Sequence, residues 1–306
     1  MFNNLRNKLN RAIFNYSVHD ILKTRPVYAT GKNRLALLAQ LQHKDILLAI
    51  VAFKTFTTHT PIAAIYILND GTLTNEDMDL LRHHFPNVQF LRMEDAHSEH
   101  CPRGGCWERL LSISLLIKDY YVIQLDSDTL TLSNIPEIAE CVKANQSFVI
   151  GTWDEQEFES MTFRQSKASA LLTKAGKHPH IQLSAEAQFD KLDRFHALKY
   201  VRGCAGFSGF AKDSFDRAFV EEISAQMFNA LGDHWRNWGS EQVMSNIVVA
   251  NSPNARVLPH PKYCDCTKIK QNVTVFIHFI GSCRFTRGIY AKLARRIVAE
   301  LPQNHP

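Results

Sequence analysis

The chain predicts an α/β fold built on a mixed, mainly parallel sheet with helices on both faces. Three observations carry this. Short apolar runs alternate with amphipathic stretches between about residue 45 and residue 125, the pattern of strand and crossover helix in a covered parallel sheet. Of the 306 residues, 45% are hydrophobic and 21% charged, which is ordinary globular composition. A chain of this length buries a sizeable core as one large domain or two small ones.

Residues 1–44 are expected to form a basic, helical lead, and residues 45–301 a single domain in two lobes, about 45–152 and 153–301. Residues 1–34 carry seven basic groups (Arg6, Lys8, Arg11, Lys23, Arg25, Lys32, Arg34) against one acid, Asp20, so the net +5 of the whole chain resides there. Phe2, Leu5, Leu9, Ile13 and Phe14 fall at near-helical spacing. Such a helix packs on the domain or lies on an anionic membrane surface. Nucleic-acid binding is excluded as a function class, because no broad basic face with interleaved aromatics is present.

The elements follow in order. Leu35–Lys44 reads as helix and Asp45–Lys54 as a buried strand, being a short apolar run bounded by charge. Ile62–Leu68 is a second strand, ending in the turn signal Asn69-Asp70-Gly71-Thr72. Asn75–Phe85 reads as a helix capped by Thr74 or Asn75. Val88–Met93 is a strand, and Cys106–Tyr120 a helix with an apolar face of Leu110, Ile113, Ser114 and Ile117. Tyr121–Leu125 is the next strand. The second half is less regular. Phe148–Thr152 and Thr274–Ile280 read as strands, and Ser214–Leu231, Ser240–Ala250 and Gly288–Leu301 as helices. Tyr200–Ala211 is punctuated by glycine, and Gln156–Arg194 is polar with helical portions.

No apolar run approaches the roughly 20 residues that span a bilayer. No signal-peptide pattern opens the sequence. Seven scattered cysteines are an odd number, for which a reducing cytoplasm is the simplest context. The glycosylation matches at Asn145 and Asn272 are then chance. His97, His100, Cys101 and Cys106, like Cys264 and Cys266, match no common zinc spacing.

The chemistry concentrates at Leu125-Asp126-Ser127-Asp128. Read as extended chain, residues two apart point to one side, so both carboxylates converge just beyond the strand. Two ionised carboxylates need a balancing cation, and a hard divalent ion with oxygen ligands suits. The alternative is a solvated turn. His278 ends the apolar run Val-Phe-Ile-His-Phe-Ile-Gly; it is either a core histidine or a third ligand.

These islands together resemble the GT-A glycosyltransferases, specifically the glycosyltransferase family 8 type. The family carries an aspartate-x-aspartate after an apolar strand, a basic residue on the helix before it, and His-Phe-x-Gly-x-x-Lys-Pro-Trp near the C-terminus. The chain has Asp126-Ser127-Asp128, Arg109, and His278-Phe279-Ile280-Gly281-Ser282-Cys283-Arg284. Arginine stands where the family has lysine, and the following Pro-Trp is replaced by Phe285-Thr286.

The resemblance implies a Rossmann-like fold, with a donor lobe at about 45–152 and an acceptor and metal-completing lobe at about 153–301. Asp126, Asp128 and His278 would hold Mn²⁺, or Mg²⁺ in its place. Arg284 and Arg109 would contact the donor diphosphate, with Ser127 and Gly281 among the donor-binding positions. Val201–Phe210 resembles the family's Asn-x-Gly segment, bringing Gly206 close to the donor sugar, although Gly203 or Cys204 replaces the asparagine. Trp238–Asn246 resembles an Asp-Gln-Asp at a helix start, with Ser240 as N-cap and with Glu241 and Gln242 facing the reacting carbon. Asp70 stands where an aspartate reads the nucleotide.

The activity implied is transfer of a hexose-type sugar from a nucleotide diphosphate donor, a UDP-sugar first, to a hydroxyl of a glycan or lipid-linked acceptor. Retention would let the leaving phosphate take the acceptor's proton; inversion would need a base, for which Glu241 is the candidate. Two other readings are a sugar-phosphate nucleotidyltransferase, which normally has a glycine-rich loop after its first strand, and a non-catalytic sugar-binding scaffold. The expected location is cytoplasmic, with peripheral contact at the inner face of the membrane through the basic N-terminus. The oligomeric state is not legible.

Overall fold

The computed structural model describes residues 2–30, 34–176, 178–281 and 283–303, with side chains from residue 8 onward. Lys32 and Ser282 of the sequence reading, and the side chains of Phe2, Leu5 and Arg6, lie outside the described residues. The chain runs α1 (Phe2–Ser17), β1 (Leu35–Leu41), α2 (Ile46–Thr57), β2 (Ala64–Asn69), α3 (Asn75–His84), β3 (Val88–Arg92) and α4 (Trp107–Leu116). Next come β4 (Tyr121–Leu125), β5 (Thr129–Thr131), α5 (Pro136–Lys143), β6 (Phe148–Ile150), β7 (Glu159–Ser160), α6 (Met161–Leu172) and α7 (Ile181–Glu186). The remainder is β8 (Lys199–Tyr200), β9 (Cys204–Phe210), α8 (Arg217–Leu231), α9 (Ser240–Ala250), β10 (Arg256–Leu258), β11 (Tyr263–Asp265), β12 (Phe276–His278) and α10 (Ile289–Glu300). The fold is mixed α/β on a mostly parallel seven-stranded sheet. No described helix is long and apolar enough to cross a membrane.

Two compact units divide the chain. The first comprises Met1–Arg92, Ile123–Glu140 and Pro261–Pro306. Its share of the main sheet has the order β4-β1-β2-β3. β1 pairs in parallel with β2, and β2 with β3. A smaller sheet, β11-β12-β5, pairs β12 in parallel with β11 and antiparallel with β5. The second unit comprises Met93–Val122 and Cys141–His260, and it holds the strands β10-β6-β9. There β6 runs parallel to β10 and antiparallel to β9.

The structure corrects the reading of residues 35–57. Leu35–Leu41 is a strand, not a helix, and Ile46–Thr57 is a helix, not a strand. Nearly every residue of both segments is buried. A strand buried on both faces does not alternate, and a helix buried all round shows no stripe. Each reads as a continuous apolar run, so period cannot tell them apart. Within α2, Leu48, Ile50, Val51, Phe53 and Phe56 are fully or almost fully buried. Each such side chain contributes about 1.5–3 kcal/mol relative to exposure.

Elsewhere the reading holds. β4 and α9 occupy the expected residues, and α3 starts on Thr74, whose hydroxyl accepts from Asp77 N while the Asp77 carboxylate accepts from Thr74 N. α4 starts at Trp107 because Cys106 sits in the left-handed region, at φ +76°. Leu110, Ile113, Ser114 and Ile117 are all buried, as expected. In α1 the apolar residues divide between two faces. Phe14 is buried against Tyr290, with ring centroids 4.3 Å apart, whereas Leu9 and Ile13 face solvent.

Candidate active site

The first unit assembles the acidic motif from two strands of its smaller sheet. Asp126-Ser127-Asp128 is a turn between β4 and β5, where extended chain was expected. The Thr129 hydroxyl closes it by donating to the Asp126 carbonyl at 2.9 Å. Pairing of β5 with β12 sets His278 opposite Thr129, and Phe279 N donates to the Asp128 carbonyl at 2.8 Å. The register of two strands thus carries the imidazole to the carboxylates, across 150 residues of sequence.

His278 Nε2 lies 3.1 Å from Asp128 Oδ1 and 3.7 Å from Asp126 Oδ2. Ligand atoms of Asp126, Asp128 and His278 all lie within 4.8 Å of one another, the only such His/Cys/Asp/Glu trio among the described residues. Two carboxylate oxygens and one imidazole nitrogen form a donor set that fits Mn²⁺ or Mg²⁺, since it contains no thiolate. Asp128 and His278 are buried, and Asp126 is half-buried toward solvent, which leaves the trio an open side.

Arg284 completes this cluster. Its guanidinium pairs with Asp128 Oδ2, and its Nε donates to the Phe279 carbonyl at 3.3 Å. Burial alone would raise the Asp128 carboxyl. The charge and hydrogen bond of His278, then the Arg284 guanidinium, outweigh it and hold the group below its usual range. Tyr290 packs beneath, stacked on Phe279 at 4.0 Å between centroids. Burial first, then the negative charge of Asp128, pushes its phenol well above the ordinary value, so Tyr290 keeps its proton and donates to the Thr129 carbonyl at 3.5 Å.

Two features here escaped sequence reasoning. Tyr290 had no signal beyond its place on the last helix. Cys266, just after β11, forms a disulfide with Cys283, the residue before Arg284. That runs against the reduced cysteines expected, and it ties the Arg284 segment to the end of β11. Cys264 instead is buried beside Thr274, with Sγ 3.7 Å from its hydroxyl.

The other expected site residues divide between the units. In the first, Asp70 lies just past β2, and its carboxylate accepts from Thr72 N at 3.0 Å and Thr72 Oγ1 at 2.7 Å. Gly281 is exposed. In the second unit, Arg109 is buried rather than solvated, with its Nη2 3.5 Å from Glu241 Oε2. Two positions expected in separate roles therefore form one ion pair. Gln242, beside Glu241, is half-buried.

Ser240 is the first helical residue of α9, not its N-cap. Gly239 takes the cap position at φ +103°, and the Ser240 hydroxyl instead accepts from Trp107 Nε1 at 2.9 Å. A side chain at Gly239 would also crowd His180, at 2.9 Å. Gly206 lies buried in the middle of β9. On α9, Asn246 Nδ2 donates to the Gly203 carbonyl at 3.2 Å. A Cβ at Gly203 would fall 2.2 Å from Val149 Cγ2, so the absent side chain is a packing requirement.

No family model matches the chain, and no curated protein matches it. Solved structures do. The bifunctional glycosyltransferase WbbM in its apo form aligns with a TM-score of 0.52 at 12% identity, over 90% of this chain and 51% of that one. The fold is that of a GT-A glycosyltransferase. The chain spans about half the length of WbbM. Mouse xyloside xylosyltransferase 1 aligns with a TM-score of 0.44 at 13% identity, over 84% of this chain and 99% of that one. The galactosyltransferase LgtC, solved with donor and acceptor sugar analogues, gives 0.43 at 10% identity, over 88% and 97%.

Proposed function

We propose that the chain is a metal-dependent glycosyltransferase of the family 8 type. It moves a hexose-type sugar from a nucleotide diphosphate donor, UDP-linked, to a hydroxyl of a glycan or lipid-linked acceptor in cell-surface polysaccharide synthesis. The observation that carries this is the convergence of Asp126, Asp128 and His278, with Arg284 paired to Asp128, on a GT-A fold. The two carboxylates and the imidazole would hold Mn²⁺, or Mg²⁺ in its place, and the ion would supply Lewis acidity toward the leaving diphosphate.

The chain's own groups do the rest. Asp128, kept ionised by His278 and Arg284, presents a ready carboxylate without a proton to displace. Arg284 adds fixed positive charge where negative charge builds on the leaving group, and guanidinium can give it two hydrogen bonds. Ser127, Gly281 and Asp70 contribute to donor binding in the first unit, and Arg109 and Gly206 in the second. Glu241 and Gln242 are assigned to the reacting sugar. Configuration is retained, the leaving phosphate taking the acceptor proton on the same face.

Thermal melting with Mn²⁺ and a series of nucleoside diphosphates tests the donor. Selective stabilisation by UDP is expected. Asp128→Ala and His278→Ala are expected to abolish Mn²⁺-dependent hydrolysis of the UDP-sugar while each variant still melts cooperatively. Undiminished turnover by both variants in the presence of a chelator overturns the reading.

A further inference from the structure

The Cys266–Cys283 bond stands apart from the rest of the sulfur chemistry. Among the described residues it is the only disulfide, and Cys101, Cys141 and Cys264 are buried thiols. The chain is therefore not a scaffold stapled throughout by disulfides. The bond joins residues 17 apart in sequence. Both its cysteines are half-buried and belong to the first unit, so a reagent in solvent can reach the sulfurs.

Its two ends are held differently. Cys266 is fixed to the sheet: its N donates to the His278 carbonyl at 3.0 Å, where β11 runs beside β12. Cys283 lies in the turn that carries Arg284. Cys283 N and Arg284 N close that turn by donating to the Ile280 carbonyl at 3.0 and 2.9 Å. Packing on its outer side is sparse. Gly281, Thr286 and Arg287 are exposed, and a Cβ on Gly281 would meet nothing within 4 Å. Phe285 rests on Phe14 and Tyr290. Between Ile280 and Phe285, the disulfide ties the turn to the strand end beside His278. Arg284 follows Cys283 directly, and its guanidinium pairs with Asp128. A covalent tether one residue away restricts where that guanidinium can go, and cutting it returns conformational freedom to the turn.

We propose that Cys266–Cys283 is a redox switch that fixes Arg284 beside Asp128 when oxidised and releases it when reduced. The step is thiol–disulfide exchange with a dithiol reductant. A thiolate of the reductant attacks one sulfur, and the other leaves as a thiolate and takes a proton. The reductant's second thiol then displaces the first sulfur. The protein gains two electrons and two protons as two thiols, and the reductant departs as its own disulfide. Exposed bonds are the labile ones in such exchange. The release needs no ligand. Its consequence for a donor rests on the glycosyltransferase reading, in which Arg284 gives positive charge to the leaving diphosphate; reduction then weakens diphosphate binding.

The full chain is compared before and after treatment with dithiothreitol. Alkylation with peptide mass mapping should find Cys266 and Cys283 joined before treatment and as thiols after it, with melting still cooperative. Limited trypsin digestion, without metal or nucleotide, should cut after Arg284 and Arg287 about tenfold faster in the reduced chain. UDP binding in the presence of Mn²⁺, read by calorimetry, should weaken about tenfold on reduction and recover on reoxidation. The Cys266→Ser, Cys283→Ser double variant should behave as the reduced chain under both conditions; the redox cycle of the wild type guards against a folding defect in it. The proposal is overturned if the two cysteines are thiols in the untreated chain or if trypsin cuts both forms alike. It is overturned too if the oxidised chain binds UDP and reduction lowers only the melting temperature, as for a plain staple. If the oxidised chain binds no UDP with Mn²⁺, the donor reading fails instead, and the digestion still decides the switch.

Discussion

Arg284 and Asp128 form an ion pair whose halves differ in exposure, and the two single removals should therefore have unequal costs. The Asp128 side chain is 5% exposed and that of Arg284 26%. Arg284→Met leaves a buried carboxylate beside the His278 imidazole. Removing one partner of a fully buried pair costs about 3–5 kcal/mol, and the partial exposure of Arg284 reduces this to about 2–3 kcal/mol. Asp128→Asn leaves the guanidinium able to turn toward water and should cost about 1 kcal/mol. In a chain of this size these translate into a melting-temperature drop of about 4–10 °C for the first and about 2–4 °C for the second.

Differential scanning calorimetry without metal and then with Mn²⁺ reads both. Mn²⁺ should restore most of the loss in Arg284→Met, because it replaces the missing positive charge, and should restore none in Asp128→Asn. pH gives a second check. The folded Asp128 carboxyl lies below its usual value, so its contribution is complete above about pH 4 and is lost on further acidification. The gap between wild type and Arg284→Met should close as pH falls. An equal or larger loss in Asp128→Asn, or an Mn²⁺ response that ignores the genotype, refutes the reasoning.

Two further outcomes concern other buried charges. Burial pushes Lys54 down to about 8, and burial, followed by the charges of Lys54 and His83, pushes His84 down to about 4. Both folded values are depressed, so stability should rise between about pH 8 and 10.5 as Lys54 deprotonates and fall between about pH 6.5 and 4 as His84 must charge. Lys54→Met should raise stability at pH 7 by about 2 kcal/mol and flatten the alkaline limb; an unchanged limb in pH-resolved melting contradicts this. Glu241→Ala removes the carboxylate 3.5 Å from the buried Arg109 guanidinium and should cost about 2 kcal/mol, whereas Glu241→Gln should fold with a smaller loss. Wild-type turnover by Glu241→Gln would remove Glu241 from the catalytic assignment.

The sequence was most legible where signals for an element's ends are written locally. Helix α3 showed its ends because the cap, the first-turn acids and the last-turn bases are surface chemistry, written locally. β1 and α2 lie in dry surroundings, and there the polar residues that mark a period are missing. The candidate site divides the same way. Asp126, Asp128 and His278 were picked out by their resemblance to the family's Asp-x-Asp and His-Phe-x-Gly motifs, since the residues alone left a solvated turn and a core histidine open. Their partners were not. The Arg109–Glu241 pair spans 132 residues, and the Cys266–Cys283 bond ties the end of β11, a strand the sequence did not mark, to the turn after β12. Arg284 was expected to face the donor; its pairing with Asp128 comes from the turn after β12, which no local pattern encodes.

β12 is the middle strand of its small sheet, hydrogen-bonded on one side to β11 and on the other to β5. His278 therefore rides on backbone that cannot shift without breaking two ladders, while Asp126 and Asp128 ride on a turn. Asp128 shares that restraint, because its carbonyl accepts from Phe279 N, so of the three donors of the proposed metal site Asp126 has the most latitude. A change from Mn²⁺ to the smaller Mg²⁺ would then be taken up first at Asp126.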